Sequence, residues 1–231
     1  MNRLPPDDVP EAVTTLYLRL NGFLTSGFIL HSSKPGEALG DVDCLALWHP
    51  HHDQSERGVS PDSFLELGGR PDLLLCEVKS SLPSLSFNER LRTDPAGLNS
   101  LIRWSGLVLP SDVPDVVAKL QALIQEDTAP AEARAGFVYS GVRIRALLCC
   151  PGCPSEPPVD RWCILGDQML DYINKCLNPH VPRPSCSPTY SYDLWGGYLE
   201  PVVRYFKALA SSATPSFAEL RARVVEGPPK E

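Results

Sequence analysis

The chain has 231 residues, 43% of them hydrophobic, which is enough to bury one substantial core, so a single domain over residues 1–231 is expected. A formal net charge of −7 argues against holding nucleic acid by bulk electrostatics and demands a local basic patch for any such contact. The sequence has neither an apolar run of membrane-spanning length nor a basic-then-apolar leader at Met1–Asp8, so a cytoplasmic location with no membrane partner is expected.

Residues 1–10 are polar and proline-rich and predict a frayed start. Asp8 stands three residues before Glu11 in a capping-box pattern. Val13, Leu16, Tyr17 and Leu20 then recur at helical spacing until Asn21-Gly22 ends the helix. Phe23 to His31 reads as a first strand, Lys34-Pro35-Gly36 as a turn, and Asp41 to Trp48 as a second strand. The polar excursion at 49–71 carries His49, His51 and His52; Pro50 and the lack of a matching acid favour a solvated loop over a metal site there. A third strand runs from Asp72 to Lys79.

After a break at Ser80-Ser81-Leu82-Pro83, Asp94-Pro95 opens a helix whose buried edge is Leu98, Leu101 and Ile102. A second helix is expected at 112–126, capped by Asp112, with Val113, Val116, Val117, Leu120, Leu123 and Ile124 on one side. Phe137 to Cys149 reads as a strand or bent hairpin and Arg161 to Leu165 as a short strand. Asp167 then caps a helix bearing Met169, Leu170, Ile173, Cys176 and Leu177. A linker or surface strap is expected at 178–188. The helix from Asp193 to Leu209 carries a wide aromatic stripe, more simply read as packing against the sheet than as docking a partner. The tail after Glu226 is expected to be disordered.

Chemistry concentrates in the second and third strands, Asp41-Val42-Asp43-Cys44-Leu45-Ala46-Leu47-Trp48 and Asp72-Leu73-Leu74-Leu75-Cys76-Glu77-Val78-Lys79. Acids and a lysine stand there where a sheet would otherwise be apolar, and buried ionised groups need compensation. Side chains two apart share a strand face, so Glu77 accompanies Lys79 and Asp41 accompanies Asp43. If the strands are neighbours, Asp43 and Glu77 can hold one cation between them. Hard oxygen donors suit Mg²⁺ or Mn²⁺ rather than zinc. The plain alternative is a same-face Glu77–Lys79 ion pair.

Asp43 on one strand and Glu77-Val78-Lys79 on the next resemble the PD-(D/E)xK superfamily of nucleases. The order helix, three strands, helical crossover, strand and helix over most of residues 8–178 is similar to its arrangement of elements. The resemblance implies an α/β, restriction-endonuclease-like αβββαβ core with a central mixed sheet flanked by helices, and makes the C-terminal helical extension at about 190–225 an addition. It implies a Mg²⁺- or Mn²⁺-dependent endonuclease in which Asp43, Glu77 and the Val78 carbonyl hold the metal and Lys79 orients or helps deprotonate the attacking water. Asp41 is a second-metal or supporting candidate. Glu11 is the acid that the first helix would supply, with the capping box as its alternative explanation. Pro71-Asp72, five residues before Glu77, is the one proline-aspartate near the usual spacing before the tripeptide, and Asp43 is preferred to it. The implied substrate is nucleic acid, DNA before RNA, in restriction or defence or as one subunit of a larger complex. The rival reading is an inactive nuclease-like scaffold that binds a protein or nucleic-acid partner.

Candidates for the basic patch are Arg143 and Arg145, alternating on one strand, with Arg90, Arg92 and Arg103 after the tripeptide; solvated surface arginines are the simpler reading of each. Of the eight cysteines, Cys44 and Cys76 lie inside apolar strands and predict reduced, buried thiols. Cys150-Pro151-Gly152-Cys153 has the spacing of half a zinc site, with Cys149, Cys163, Cys176, His180 and Cys186 as completions. A turn that happens to carry cysteines is preferred, because no second such pair exists.

Overall fold

The computed structural model describes residues 3–31, 38–52, 58–125, 129–179, 191–210 and 212–227, with backbone only at 28–31 and 38–41. Helix α1 (Asp8–Leu20) leads into strands β1 (Leu24–His31), β2 (Ala38–Trp48) and β3 (Asp72–Val78). Helices α2 (Glu89–Thr93), α3 (Pro95–Ser105), α4 (Val113–Leu123) and α5 (Pro130–Ala135) follow. The chain then forms β4 (Phe137–Tyr139), β5 (Val142–Cys150), β6 (Cys163–Leu165) and helices α6 (Gly166–Leu177), α7 (Gly196–Ala208) and α8 (Phe217–Glu226).

The six strands make one open mixed sheet, ordered β1-β2-β3-β5-β4, with β6 also on β5. β1, β2 and β3 are successively antiparallel, β3 and β5 are parallel, and the return between them runs through α2 to α5. This is an α/β sheet flanked by helices. β3 reads as a near-continuous apolar run because it is covered on both faces. On one face Cys44, Leu74, Cys76 and Leu147 pack under α1, α6, α7 and α8, with Leu16, Tyr17, Ile173, Phe206 and Leu220. On the other, Leu45, Leu73, Leu75, Ala146 and Leu148 meet Leu98 and Ile102 of α3 and Leu120 of α4.

Local signals account for most element ends. Asp94 caps α3 by accepting from the Ala96 N–H at 2.9 Å, and Gly106 ends that helix at φ 67°. The bent hairpin is β4–β5, turned at Ser140 (φ 47°) and Gly141 (φ 86°), a pair of left-handed residues that matches the strand twist. Three expected caps differ. Asp8 lies inside α1 behind Asp7, whose side chain makes no capping bond. Asp112 instead accepts from the Tyr139 hydroxyl at 2.6 Å, and Asp167 from the Ser155 N–H at 2.9 Å. The Asp112 and Asp167 carboxylates have tertiary donors that local spacing does not reveal.

The C-terminal extension is α7 plus a separate α8. Leu199, Val202 and Phe206 of the expected stripe are buried, together with Tyr205, as the packing reading expects, whereas Leu194 and Tyr198 of that stripe are exposed. Residues 180–188 of the expected strap, and all but Gly227 of the tail after Glu226, lie outside the described residues. Among the described residues no helix is long and apolar enough to cross a membrane.

Candidate active site

The β2–β3 ladder pairs Leu45 with Leu75 and Cys44 with Cys76; carried one residue further, it sets Asp43 opposite Glu77. Both side chains then leave the sheet on the α3 side, with Leu45 and Leu75. Asp43 Oδ2 accepts the Val78 N–H at 2.6 Å. Lys79, on the same face as Glu77, donates from Nζ to Glu77 Oε1 at 2.7 Å. The Lys79 N–H points the opposite way, to the Cys149 carbonyl on β5 at 2.8 Å. The N–H and carbonyl of one strand residue leave by the same edge, so the Val78 carbonyl also leaves toward β2. Asp43, Glu77, Val78 and Lys79 are thus brought together at the C-terminal end of β3.

The Glu77 side chain is 7% exposed and that of Lys79 22%, so the pair bridges core and solvent. Burial pushes the Glu77 carboxyl above its ordinary range. The Lys79 hydrogen bond opposes that, the Asp43 charge adds to it, and a hydrogen bond from the Asn88 backbone before α2 lowers it again. A divalent cation would relieve the repulsion between the two carboxylates. The donors fit a hard cation that keeps several waters: two carboxylates and a backbone carbonyl, all oxygen. Among the described residues no group of three or more His, Cys, Asp or Glu side chains is placed to hold a metal, so water and carbonyl oxygen would complete the shell.

A cleft of about 770 Å³ reaches this strand end. Its lining includes Asp7 just before α1, Glu11 within α1, Val78 and Lys79 at the end of β3, and Phe217 and Arg221 of α8; Asp43 and Glu77, on the α3 face, are not part of it. Glu11 is half-buried and its Oε2 accepts from the Tyr198 hydroxyl at 3.4 Å, so the cleft, rather than a capping box, is its setting. Glu11 also raises the Tyr198 phenol above its usual range, after burial as the main cause. Asp41 pairs with Ile29 along the backbone, and its side chain lies outside the described residues.

Arg143 and Arg145 correct the expected basic patch. Both turn inward at the opposite end of β3, about 17 Å from Glu77 by strand rise. There Arg145 Nη2 meets Asp72 Oδ2 at 2.7 Å and the Leu65 carbonyl at 2.9 Å, and Arg143 binds the same carboxylate. Arg145 is wholly buried, and burial lowers its guanidinium from its usual value while Asp72 opposes that. A phosphate cannot reach it. Asp72, engaged by two guanidinium groups, is likewise a poor replacement for Asp43 as metal ligand. Arg90 and Arg103 are exposed and Arg92 half-buried, its Nε donating to the Phe87 carbonyl at 3.0 Å.

His49, His51 and His52 are exposed, with the His52 ring lying over Gly22, where a Cβ would come within 2.5 Å of it. Cys150 and Cys153 are buried at a turn closed by the Cys153 N–H on the Cys150 carbonyl at 3.1 Å. Burial pushes the neighbouring Cys163 thiol up to about 12. Cys149 and Cys176 are buried too, while His180 and Cys186 lie outside the described residues. Sequence reading missed Phe217 and Arg221; their one-turn spacing on an amphipathic run was visible, but its meeting with β3 was not.

No family model, no curated protein and no solved structure matches this chain. The functional reading therefore rests on the geometry.

Proposed function

We propose that this chain is a metal-dependent nuclease with a restriction-endonuclease-like core, hydrolysing phosphodiester bonds of nucleic acid, DNA before RNA. The observation that carries the reading is the convergence of Asp43, Glu77 and Lys79 at one strand end, with Val78 turned toward Asp43 and Lys79 also lining a cleft. Asp43, Glu77 and the Val78 carbonyl would hold Mg²⁺ or Mn²⁺. The ion supplies charge for the scissile phosphate and acidity for a bound water.

The protein's own groups have separable tasks. The Val78 N–H holds the Asp43 carboxylate by its Oδ2. Lys79 places a compact cation on a flexible stem beside Glu77, where it can orient the water and offset negative charge growing on the phosphate. Glu11, the acid that the resemblance assigns to the first helix, lines the same cleft as Lys79 and would act there on a proton or a water. Restriction or defence, and membership of a larger complex, remain roles that the resemblance suggests.

The test is cleavage of a panel of DNA and RNA with Mg²⁺ or Mn²⁺ by wild type, Asp43→Ala and Lys79→Ala. Metal-dependent cutting lost in both variants supports the assignment; equal cutting by all three overturns it. The rival reading, a non-cutting scaffold, is favoured by one observation: Asp43 and Glu77 already have partners within the chain, the Val78 N–H and Lys79. Binding without cutting under every metal would select it.

A further inference from the structure

We propose that α8 forms one wall of a subsite for an unpaired polynucleotide strand, with Arg221 taking a backbone phosphate and Phe217 a base. The proposal rests on the nuclease reading and names its substrate as single-stranded.

Phe217 and Arg221 are four residues apart on α8, hence on one helix face, and both line the cleft that reaches Lys79. The wall is firmly held. Leu220 and Val224 are buried in the core shared with α1 and α7, and the Ser216 N–H donates to the Tyr205 hydroxyl at 3.3 Å. The Phe217 ring lies against Gly152, where a Cβ would come within 3.3 Å of Cε1, so the glycine makes room for the ring. Half-buried, the ring keeps surface toward the cleft, and an aromatic platform beside a guanidinium is the means by which a sequence-tolerant site grips an unpaired base and its phosphate.

Charge argues for one strand over two. A duplex is held by many simultaneous phosphate contacts, whereas the chain carries −7 and the alternating arginines of β5 are turned into the protein. Lys79 and Arg221 oppose Asp7 and Glu11 in the cleft, so its titratable side chains sum to no net charge until a cation enters. A cleft of about 770 Å³ matches a small-ligand site rather than a duplex footprint.

The test is fluorescence anisotropy of the full chain with labelled oligo(dT), oligo(U) and a duplex of equal length, in Ca²⁺ over a series of salt concentrations. The expected order is single strand tighter than duplex, with the two single-strand probes separating DNA from RNA preference. Arg221→Ala should weaken oligo(dT) binding about tenfold and lower the salt slope by about 0.7, the loss of one phosphate contact. Arg221→Lys should keep that slope. Phe217→Leu, which retains apolar packing, should weaken binding about tenfold at an unchanged slope. Arg223→Ala, an exposed arginine of α8 that is not among the residues lining the cleft, should match wild type. Wild-type affinity and slope in Arg221→Ala, or tighter duplex binding, overturns the subsite while leaving nuclease activity standing. Failure of wild type to bind or cut any nucleic acid overturns both.

Discussion

Glu77 and Lys79, two residues apart on one face of β3, meet at 2.7 Å while the glutamate is almost wholly buried. Burial, the largest influence, raises the Glu77 pKa above its unfolded value. Its contribution to stability is therefore complete below the ordinary carboxylate range and is lost as pH rises through the raised folded value. Above that raised value the ionised Glu77 costs stability. Glu77→Gln should accordingly melt higher than wild type at pH 8, the difference closing toward pH 4, as followed by differential scanning fluorimetry. The stabilisation that Mg²⁺ confers on wild type should appear with a pH midpoint above the usual glutamate range and be absent from Glu77→Gln.

Lys79 should matter to turnover more than to folding, because its side chain is partly solvated. Lys79→Ala should lower single-turnover cleavage by about 10²–10³-fold, the usual effect of removing one charge-stabilising donor. Lys79→Arg should not restore it, since a planar guanidinium cannot occupy the same place beside Glu77 and a metal. Cleavage by Lys79→Ala within a few-fold of wild type would remove the residue from the mechanism.

At the other end of β3, Arg145 and Asp72 are both about 1% exposed and joined at 2.7 Å. Arg145→Ala strands a buried carboxylate with only Arg143 as cation and should cost about 3–5 kcal/mol in urea unfolding. Arg143→Ala, whose side chain is 16% exposed, should cost less. Neither change should alter the salt slope of nucleic-acid binding by the protein that remains folded, whereas a surface phosphate contact would.

Metal removal should separate chemistry from architecture. EDTA should abolish cutting while leaving the melting temperature of the metal-free protein unchanged, and zinc analysis of purified protein should find less than one equivalent. A fall in melting temperature on chelation would instead favour a structural zinc site at Cys150 and Cys153. The seven described cysteines are buried, so their alkylation at pH 8 should be slow until denaturant is added.

What could be read in the chain itself was local and periodic. The two-residue alternation of β2 and β3 put Glu77 and Lys79 on one face, and helical spacing marked α1, α3, α4, α6 and α7, because backbone geometry forces those repeats on any sequence that buries one side. The same reading placed acids in strands where apolar residues were due, and so identified Asp43 and Glu77 as a pair to look for.

Only the tertiary structure decided which strands are neighbours, and hence that Asp43 stands across from Glu77. It also decided that Arg143 and Arg145 turn toward Asp72, that Glu11 faces a cleft with Tyr198 as its partner, and that α8 brings Phe217 and Arg221 to Lys79. An arginine on an alternating strand looks the same in sequence whether it meets water or a buried aspartate. Its environment is set by residues up to 80 positions away, through packing that no local period encodes.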